Sequence, residues 1–185
     1  MKLLDKVAFV TGAAQGMGQA IVRGFVAEGA KVVAVDLNQA ALAESLADLG
    51  EKVLALACNV GDGASVADAM GQAEQHFGGL DILVNNAGVG ALDSFLETPD
   101  ESWARVIGVN LSGTFLCCRE GARLMVKGGR KGAIINLASV AAPEPRLISV
   151  QPYDPSQIKA IEKAIMDGVL SVGTKLPPQR NLAFD

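Results

Sequence analysis

The sequence predicts an α/β fold, a doubly wound parallel sheet, on two observations. Short runs that are almost wholly apolar alternate along the chain with longer segments of helical periodicity. Strands that lack polar alternation are buried on both faces, which is typical of a parallel sheet covered by helices. Such sheets bind ligands at the carboxyl ends of their strands, near the switch in strand order. Functional residues are therefore expected directly after the strands.

The predicted elements alternate in order along the chain. Strands are expected at residues 7–11, 31–36, 53–57, 80–85 and 133–138. Helices are expected at residues 20–27, 38–50, 64–77, 100–108 and 111–126. Local signals support these boundaries, since Asn38 is a favourable N-cap and Gly29 a favourable helix stop.

Composition and charge exclude several classes of protein. The 185 residues, 50% of them hydrophobic and 19% charged, favour one globular domain. The formal net charge of −4 argues against a dedicated nucleic-acid binder. Apolar stretches such as 53–58 are far shorter than the roughly 18 residues of a membrane span. Asp5 and Lys6 interrupt the first apolar run, so no signal peptide is expected.

The metal-binding residue types are sparse. Cys58, Cys117 and Cys118 include no CxxC pair, and His76 is the single histidine. We therefore expect no metal site, and free thiols in a reducing cytoplasm.

The turn after the first strand carries the strongest motif, Thr-Gly-Ala-Ala-Gln-Gly-Met-Gly over residues 11–18. Its glycines let the backbone turn tightly and approach a pyrophosphate, whose charge the helix N-terminus attracts. A glycine run alone is also compatible with a flexible loop, but here it stands between a strand and a helix. The candidate phosphate-binding residues are Gly12, Gln15, Gly16, Met17 and Gly18.

Asp36 ends the second strand, 18 residues after Gly18. A carboxylate there can accept hydrogen bonds from the adenosine ribose and would repel a 2′-phosphate. The predicted cofactor is therefore NAD rather than NADP. A solvated carboxylate at a strand end is the alternative interpretation.

These motifs together resemble the short-chain dehydrogenase/reductase family over about residues 4–141, which implies a Rossmann-like fold. Residues 11–18 match its TGxxxGxG motif, and residues 85–88 its NNAG turn after the fourth strand. The resemblance implies an NAD-dependent oxidoreductase that acts on a secondary alcohol or ketone. It also implies further cofactor-binding residues, which are Asn59, Val60, Asn86, Ala87 and Gly88.

The resemblance further implies two catalytic residues in this part of the chain. Asn110 would kink its helix and position a water for proton relay, and Ser139 would hydrogen-bond the substrate carbonyl. Taken alone, Asn110 is also compatible with a helix cap and Ser139 with a strand-end cap.

The third catalytic candidate, Tyr153, departs from the family pattern. The family carries a lysine four residues after its tyrosine, whereas Gln157 occupies that position here. Asp154 is a favourable N-cap for a helix that contains Lys159, so Tyr153 is expected outside that helix. We therefore expect that the tyrosine–lysine pair is not formed and that the isolated chain turns over alcohols slowly or not at all.

The sequence after residue 141 predicts an organisation that differs from that of the family. Residues 143–165 resemble a strand–turn–helix segment of ribosome recycling factor. We expect a dinucleotide-binding domain over 1–141, truncated after strand five, an atypical strand–turn–helix over 142–168 and an extended tail over 169–185. Residues 146–150 should not pair in parallel with 133–138, because the seven intervening residues are too few for a crossover.

Three functions stay open at this point: an NAD-dependent oxidoreductase, a non-catalytic NAD-binding or chimeric structural protein, and a translation-related interaction protein. The acidic charge opposes the third. The expected partners are a small-molecule substrate, if the chain is active, and neither nucleic acid nor membrane. An unpaired apolar edge also predicts a homo-oligomer.

Overall fold

The computed structural model describes residues 1–90, 97–139 and 148–149. Its main sheet has five parallel strands in the order β3-β2-β1-β4-β5. The strands are β1 (Val7–Thr11), β2 (Lys31–Asp36), β3 (Val53–Ala57), β4 (Ile82–Asn85) and β5 (Ala133–Asn136). This order confirms the predicted doubly wound parallel fold. The chain adds β2 and β3 on one side of β1 and then β4 and β5 on the other, so the switch point lies between β1 and β4.

Helices cover both faces of the sheet because successive strand residues point to opposite sides. Val10 of β1 packs in one buried cluster with Phe25, whereas the preceding Phe9 packs in a second cluster with Met70 and Leu124. The helices are α1 (Gly16–Ala27), α2 (Gln39–Leu46), α3 (Gly63–Phe77), α4 (Asp100–Ile107) and α5 (Thr114–Lys127). None of the helices in the described ranges is long and apolar enough to cross a membrane.

The observed helices differ from the predicted ones in three places. The first helix begins at Gly16, before the apolar stripe at 20–27 that predicted it. The second helix ends at Leu46, not near residue 50, and continues as a 3-10 segment, Ala47–Lys52, in which Gly50 has a positive φ of 59°. The two helices expected at 100–108 and 111–126 form one continuous helical stretch, because a π-helix, Gly108–Gly113, joins α4 to α5. The widened π turn is a local feature that helical periodicity does not reveal.

The strand predictions also need correction at two ends. Strand four begins at Ile82 rather than residue 80, and strand five ends at Asn136 rather than residue 138. Ala138–Ser139 instead form a short strand β6 that pairs antiparallel with β7, Ile148–Ser149. The prediction that residues 146–150 avoid parallel pairing is thus confirmed for Ile148–Ser149. The helix expected after Asp154 and the tail 169–185 lie outside the described residues.

Candidate functional site

The turn between β1 and α1 is built for close approach of an anion. Gly12 and Gly16 have positive φ angles of 64° and 57°, which non-glycine residues adopt with strain. A Cβ on Gly18 would collide with the Gly12 carbonyl oxygen, so only glycine lets α1 pack this tightly. Within the described part of the chain no side chain caps α1 at Gln15, and the first turn of α1 has no acidic residue. The helix N-terminus therefore keeps amide groups available for a negative group.

Asp36 joins the ends of two strands through both of its carboxylate oxygens. Oδ2 accepts a hydrogen bond from the Ala14 amide at 3.0 Å, and Oδ1 accepts one from the Asn38 amide at 3.1 Å. Each oxygen retains a second lone pair for another donor. The half-buried carboxylate therefore stabilises the glycine-rich turn and can still bind a hydroxyl group beside it.

Asn59 and Val60 follow β3 at the same edge of the sheet. The Cys58 amide donates to the Asp36 carbonyl at 2.9 Å, which extends the β2–β3 pairing to this point. Val60 is 7% exposed, whereas the Asn59 side chain is exposed. The sheet thus places an exposed amide next to the end of β2.

Asn86 holds the glycine-rich turn with its side chain. Its Nδ2 donates to the carbonyl oxygens of Thr11 and Gly12 at 2.9 and 3.1 Å. The Thr11 hydroxyl in turn accepts from the amides of Asn86 and Ala87 at 3.0 and 2.9 Å. The two turns at the switch point are therefore clamped together. Thr11 belongs to this clamp, although the predicted site residues did not include it and the motif of residues 11–18 begins with it.

Asn110 lies in the π-helix and holds the turn after β4. Its Oδ1 accepts from the Val89 amide and its Nδ2 donates to the Val89 carbonyl, both at 2.9 Å. The backbone carbonyl of Asn110 accepts a hydrogen bond from the Thr114 hydroxyl at 2.8 Å. A π turn lies at Asn110, where the family resemblance implies a kink, and the implied role of Asn110 in positioning a water stays a prediction. Gly88 lies beside the side-chain amide of Asn110.

A polar cluster beneath this edge was not foreseen from the sequence. Asn85 donates from Nδ2 to Asn136 Oδ1 at 2.7 Å and to Cys118 Sγ at 3.1 Å. Asn85 is 4% exposed, and its Oδ1 accepts no hydrogen bond from the residues that the structure describes. The register of β4 and β5 places Asn85 opposite Asn136 and so forms this cluster. A local sequence motif could not have predicted it.

The three thiols are unsuited to nucleophilic roles. Burial raises the pKa of the Cys117 thiol to about 12, and burial also raises the pKa of Cys58 and of Cys118. Thiolates are the nucleophilic form, so these cysteines stay protonated and inert near neutral pH. Among the residues described, no three His, Cys, Asp or Glu side chains cluster to hold a metal ion.

Of the other two catalytic candidates, the structure describes only the backbone of Ser139. The backbone of Ser139 lies in β6, after the carboxyl end of β5, on the edge where the other site residues meet. Tyr153 lies outside the described residues. The structure therefore brings together the residues after β1 to β4 with Asn110, and it brings Ser139 to the same edge by its backbone.

This fold and this edge define a dinucleotide-binding class of α/β protein. The sequence profile of the short chain dehydrogenase family matches residues 6–158, and the chain belongs to that family. The match extends past residue 141, and the resemblance of 143–165 to ribosome recycling factor stays a prediction.

Named relatives agree with this family assignment. The chain is 40% identical over 141 residues to sorbitol dehydrogenase of Cereibacter sphaeroides, covering 76% of this chain and 55% of the relative. It is 45% identical over 145 residues to D-threitol dehydrogenase of Mycolicibacterium smegmatis, with the same coverages. The chain spans about half the length of these curated relatives.

A solved structure is similar over the same region. The 3-ketoacyl-(acyl-carrier-protein) reductase from Brucella melitensis, complexed with NADH, has a TM-score of 0.66 and 36% sequence identity. The match covers 69% of this chain and 53% of that chain.

Proposed function

We propose that this chain binds NAD and is an oxidoreductase that transfers hydride between a secondary alcohol or its ketone and the nicotinamide. The observation that carries the proposal is the clamped pair of turns at the switch point, where Asn86 binds the carbonyls of Thr11 and Gly12. Turns held by such hydrogen bonds bind a cofactor with a smaller entropy cost of ordering than mobile loops do. The names of the two relatives, dehydrogenases of sorbitol and D-threitol, support a polyol as the alcohol.

The preference for NAD over NADP rests on charge. Asp36 would repel a 2′-phosphate, and no lysine or arginine occurs in residues 12–18 or 36–40 to neutralise one. The hydrogen bonds from the Ala14 and Asn38 amides hold the Asp36 carboxylate in place. From this position it would accept a hydrogen bond from a ribose hydroxyl. NAD is therefore the proposed cofactor.

The residues of this chain would divide the work as follows. Bound NAD supplies the hydride acceptor. Asn110 shapes the groove by holding Val89, and Ser139 is the proposed hydrogen-bond donor to the substrate oxygen. Both roles are proposals that follow from family membership and from the place of these residues at one sheet edge.

A second candidate function is NAD binding without turnover. It is favoured by the sequence after Ser139, where the only tyrosine, Tyr153, is followed four residues later by Gln157 rather than a lysine. A phenol with no adjacent cation to lower its pKa stays protonated near neutral pH and cannot serve as the base. A missing acid–base group typically costs about 10²–10⁴-fold in rate.

Calorimetry with NAD and NADP tests the binding part of the proposal. Saturable binding of NAD with weaker or absent binding of NADP is expected. Asp36→Ala should narrow that difference, whereas Asp48→Asn, which alters an exposed carboxylate paired with Arg23, should leave it unchanged. Equal or tighter binding of NADP by the parent chain would contradict the role of Asp36.

Kinetics then separate the two candidates. The rate of NAD reduction is measured for three proteins: the parent chain, Tyr153→Phe and Ser139→Ala. Sorbitol and D-threitol serve as substrates. Turnover that Ser139→Ala lowers is the result expected of the oxidoreductase, whereas NAD binding with slow or no turnover is the result expected of the second candidate. Robust turnover that is lost in Tyr153→Phe would instead establish the full enzyme and contradict the non-catalytic candidate.

A further inference from the structure

The strand order predicts where the base of a bound dinucleotide lies. With the pyrophosphate at the N-terminus of α1 and the ribose at Asp36, the base extends from β2 toward the outer strand β3. After β3 the side chains of Cys58 and Val60 are buried, and Asn59 between them is exposed. Asn59 is thus the side chain at this edge that can meet the polar rim of the base.

The backbone around Asn59 is held on several sides. The Asn59 amide donates to Ser65 Oγ at 3.0 Å, and its carbonyl accepts from the Asp62 amide at 3.0 Å. Val60 packs so closely on the π-helix that a Cβ on Gly113 would lie 2.9 Å from Val60 Cγ2. This segment therefore presents the Asn59 side chain from a fixed position.

The orientation of the side-chain amide of Asn59 is also determined. Its Oδ1 accepts a hydrogen bond from the Gly61 amide at 3.0 Å. An N–H group bonds only to an acceptor, so the oxygen faces Gly61 and the Nδ2 group occupies the other position. Nδ2 donates to none of the described residues. The outward-facing group of Asn59 is consequently a hydrogen-bond donor.

We propose that this donor makes the base subsite accept a hypoxanthine dinucleotide as well as the adenine one. The 6-amino group of adenine is a donor, whereas the 6-oxo group of hypoxanthine is an acceptor that Asn59 Nδ2 can bind. An aspartate could keep the Gly61 contact with one oxygen and present the second as an acceptor, which pairs with the 6-amino group and repels the 6-oxo group. The inference rests on the proposed binding of NAD.

Calorimetry with NAD and nicotinamide hypoxanthine dinucleotide, each in the oxidised form, tests the proposal. The measured quantity is the ratio of the two dissociation constants. For the parent chain we expect the hypoxanthine dinucleotide to bind at least as tightly as NAD, because only its 6-oxo group accepts from Asn59 Nδ2. For Asn59→Asp we expect the ratio to move toward NAD by about tenfold, the effect of one hydrogen bond exchanged for a repulsion. Using a ratio cancels the general weakening that an added negative charge causes near a pyrophosphate.

Asp62→Asn is the matched control. Asp62 caps α3 by accepting from the Ala64 amide at 3.0 Å, and an asparagine caps equally well, so the ratio should stay at the parent value. An unchanged ratio in Asn59→Asp would overturn the inference while leaving NAD binding intact. If Asn59→Asp fails to fold, Asn59→Ala serves instead, and it must weaken the hypoxanthine dinucleotide more than NAD. Failure of the parent chain to bind either dinucleotide would contradict the proposed function itself.

Discussion

Asn110 binds both polar groups of the Val89 backbone, accepting from its N–H and donating to its carbonyl, each at 2.9 Å. The two residues are 21 positions apart, and one lies in the π-helix while the other follows β4. The contact mimics a pair of strand hydrogen bonds, so a single side chain fixes the course of the turn after β4. Gly88, a proposed cofactor contact, is the neighbour whose position depends on it.

Asn110→Ala should therefore lower the free energy of unfolding by about 1 kcal/mol and weaken NAD binding several-fold, because the Val89 backbone loses two partners. Asn110→Asp keeps the acceptor and loses the donor, so its effect should be intermediate. Urea unfolding and calorimetry measure both quantities. Gln72→Ala, on the exposed side of α3, is the control and should change stability by less than about 0.5 kcal/mol. An Asn110→Ala protein with parent stability and affinity would show that the contact is dispensable.

Gly18→Ala adds only one methyl group, but it should lower both stability and NAD affinity. The added Cβ would collide with the Gly12 carbonyl oxygen and lie 2.7 Å from Asn86 Nδ2. We expect a loss of about 1–3 kcal/mol in the free energy of unfolding, typical of overpacking, together with weaker NAD binding. Gly71→Ala is the matched control, since nothing lies within 4 Å of its added Cβ in α3. That change should stabilise by about 0.5–1 kcal/mol, and a Gly18→Ala protein that behaves like it would refute the close-packing argument.

Stability should fall at alkaline pH through Cys117. Its pKa rises from an ordinary 9.0 to about 12 on folding, because the thiol is buried. The unfolded chain then releases the proton first, so this contribution is complete below pH 9 and is lost progressively as pH rises toward 12. At pH 10 the loss should be about 1.4 kcal/mol relative to pH 8.

Cys117→Ala isolates this effect. Urea unfolding at pH 8 and pH 10 should show a smaller decrease for the variant than for the parent chain, whatever their absolute stabilities. Identical decreases in the two proteins would mean that the Cys117 thiol does not carry the pH dependence.

The helical stretch from α4 to α5 exposes large apolar side chains that a second copy of the chain is expected to cover. Trp103, Leu111 and Phe115 are 63%, 63% and 59% exposed. Phe115→Glu should therefore shift the sedimentation coefficient from that of an oligomer to that of a monomer. Val126→Glu, at an 80% exposed position near the end of α5, is the control and should leave the oligomer intact. A parent chain that sediments as a monomer would contradict the predicted homo-oligomer.

Local sequence signals were sufficient for much of the fold. The apolar runs predicted β1, β2 and β3 at their observed bounds, since buried strands require apolar side chains on both faces. Asn38 was predicted as an N-cap, and its Oδ1 accepts from the Ala41 amide at 3.1 Å. The positive φ angles of Gly12 and Gly16 are equally local, because only the residue's own Cβ forbids them.

The strand boundaries that failed depended on neighbours. Residue 138 looked like a continuation of strand five, yet the ladder stops at Asn136 and the next strand pairs antiparallel with Ile148–Ser149. Periodicity gives no information on which partner a strand chooses.

The chain by itself thus determined the five parallel strands, the glycine-rich turn and the carboxylate that ends β2. Only the tertiary structure decided that Asn86 binds the Gly12 carbonyl, that Asn110 binds Val89 and that Asn85 lies opposite Asn136. Asparagine side chains both donate and accept, so their type leaves many partners open. The order β3-β2-β1-β4-β5 brings the turns after β1 and β4 together, and that adjacency of segments about 75 residues apart selects the partners of Asn86. The register of β4 and β5 in the same way selects Asn136 as the partner of Asn85.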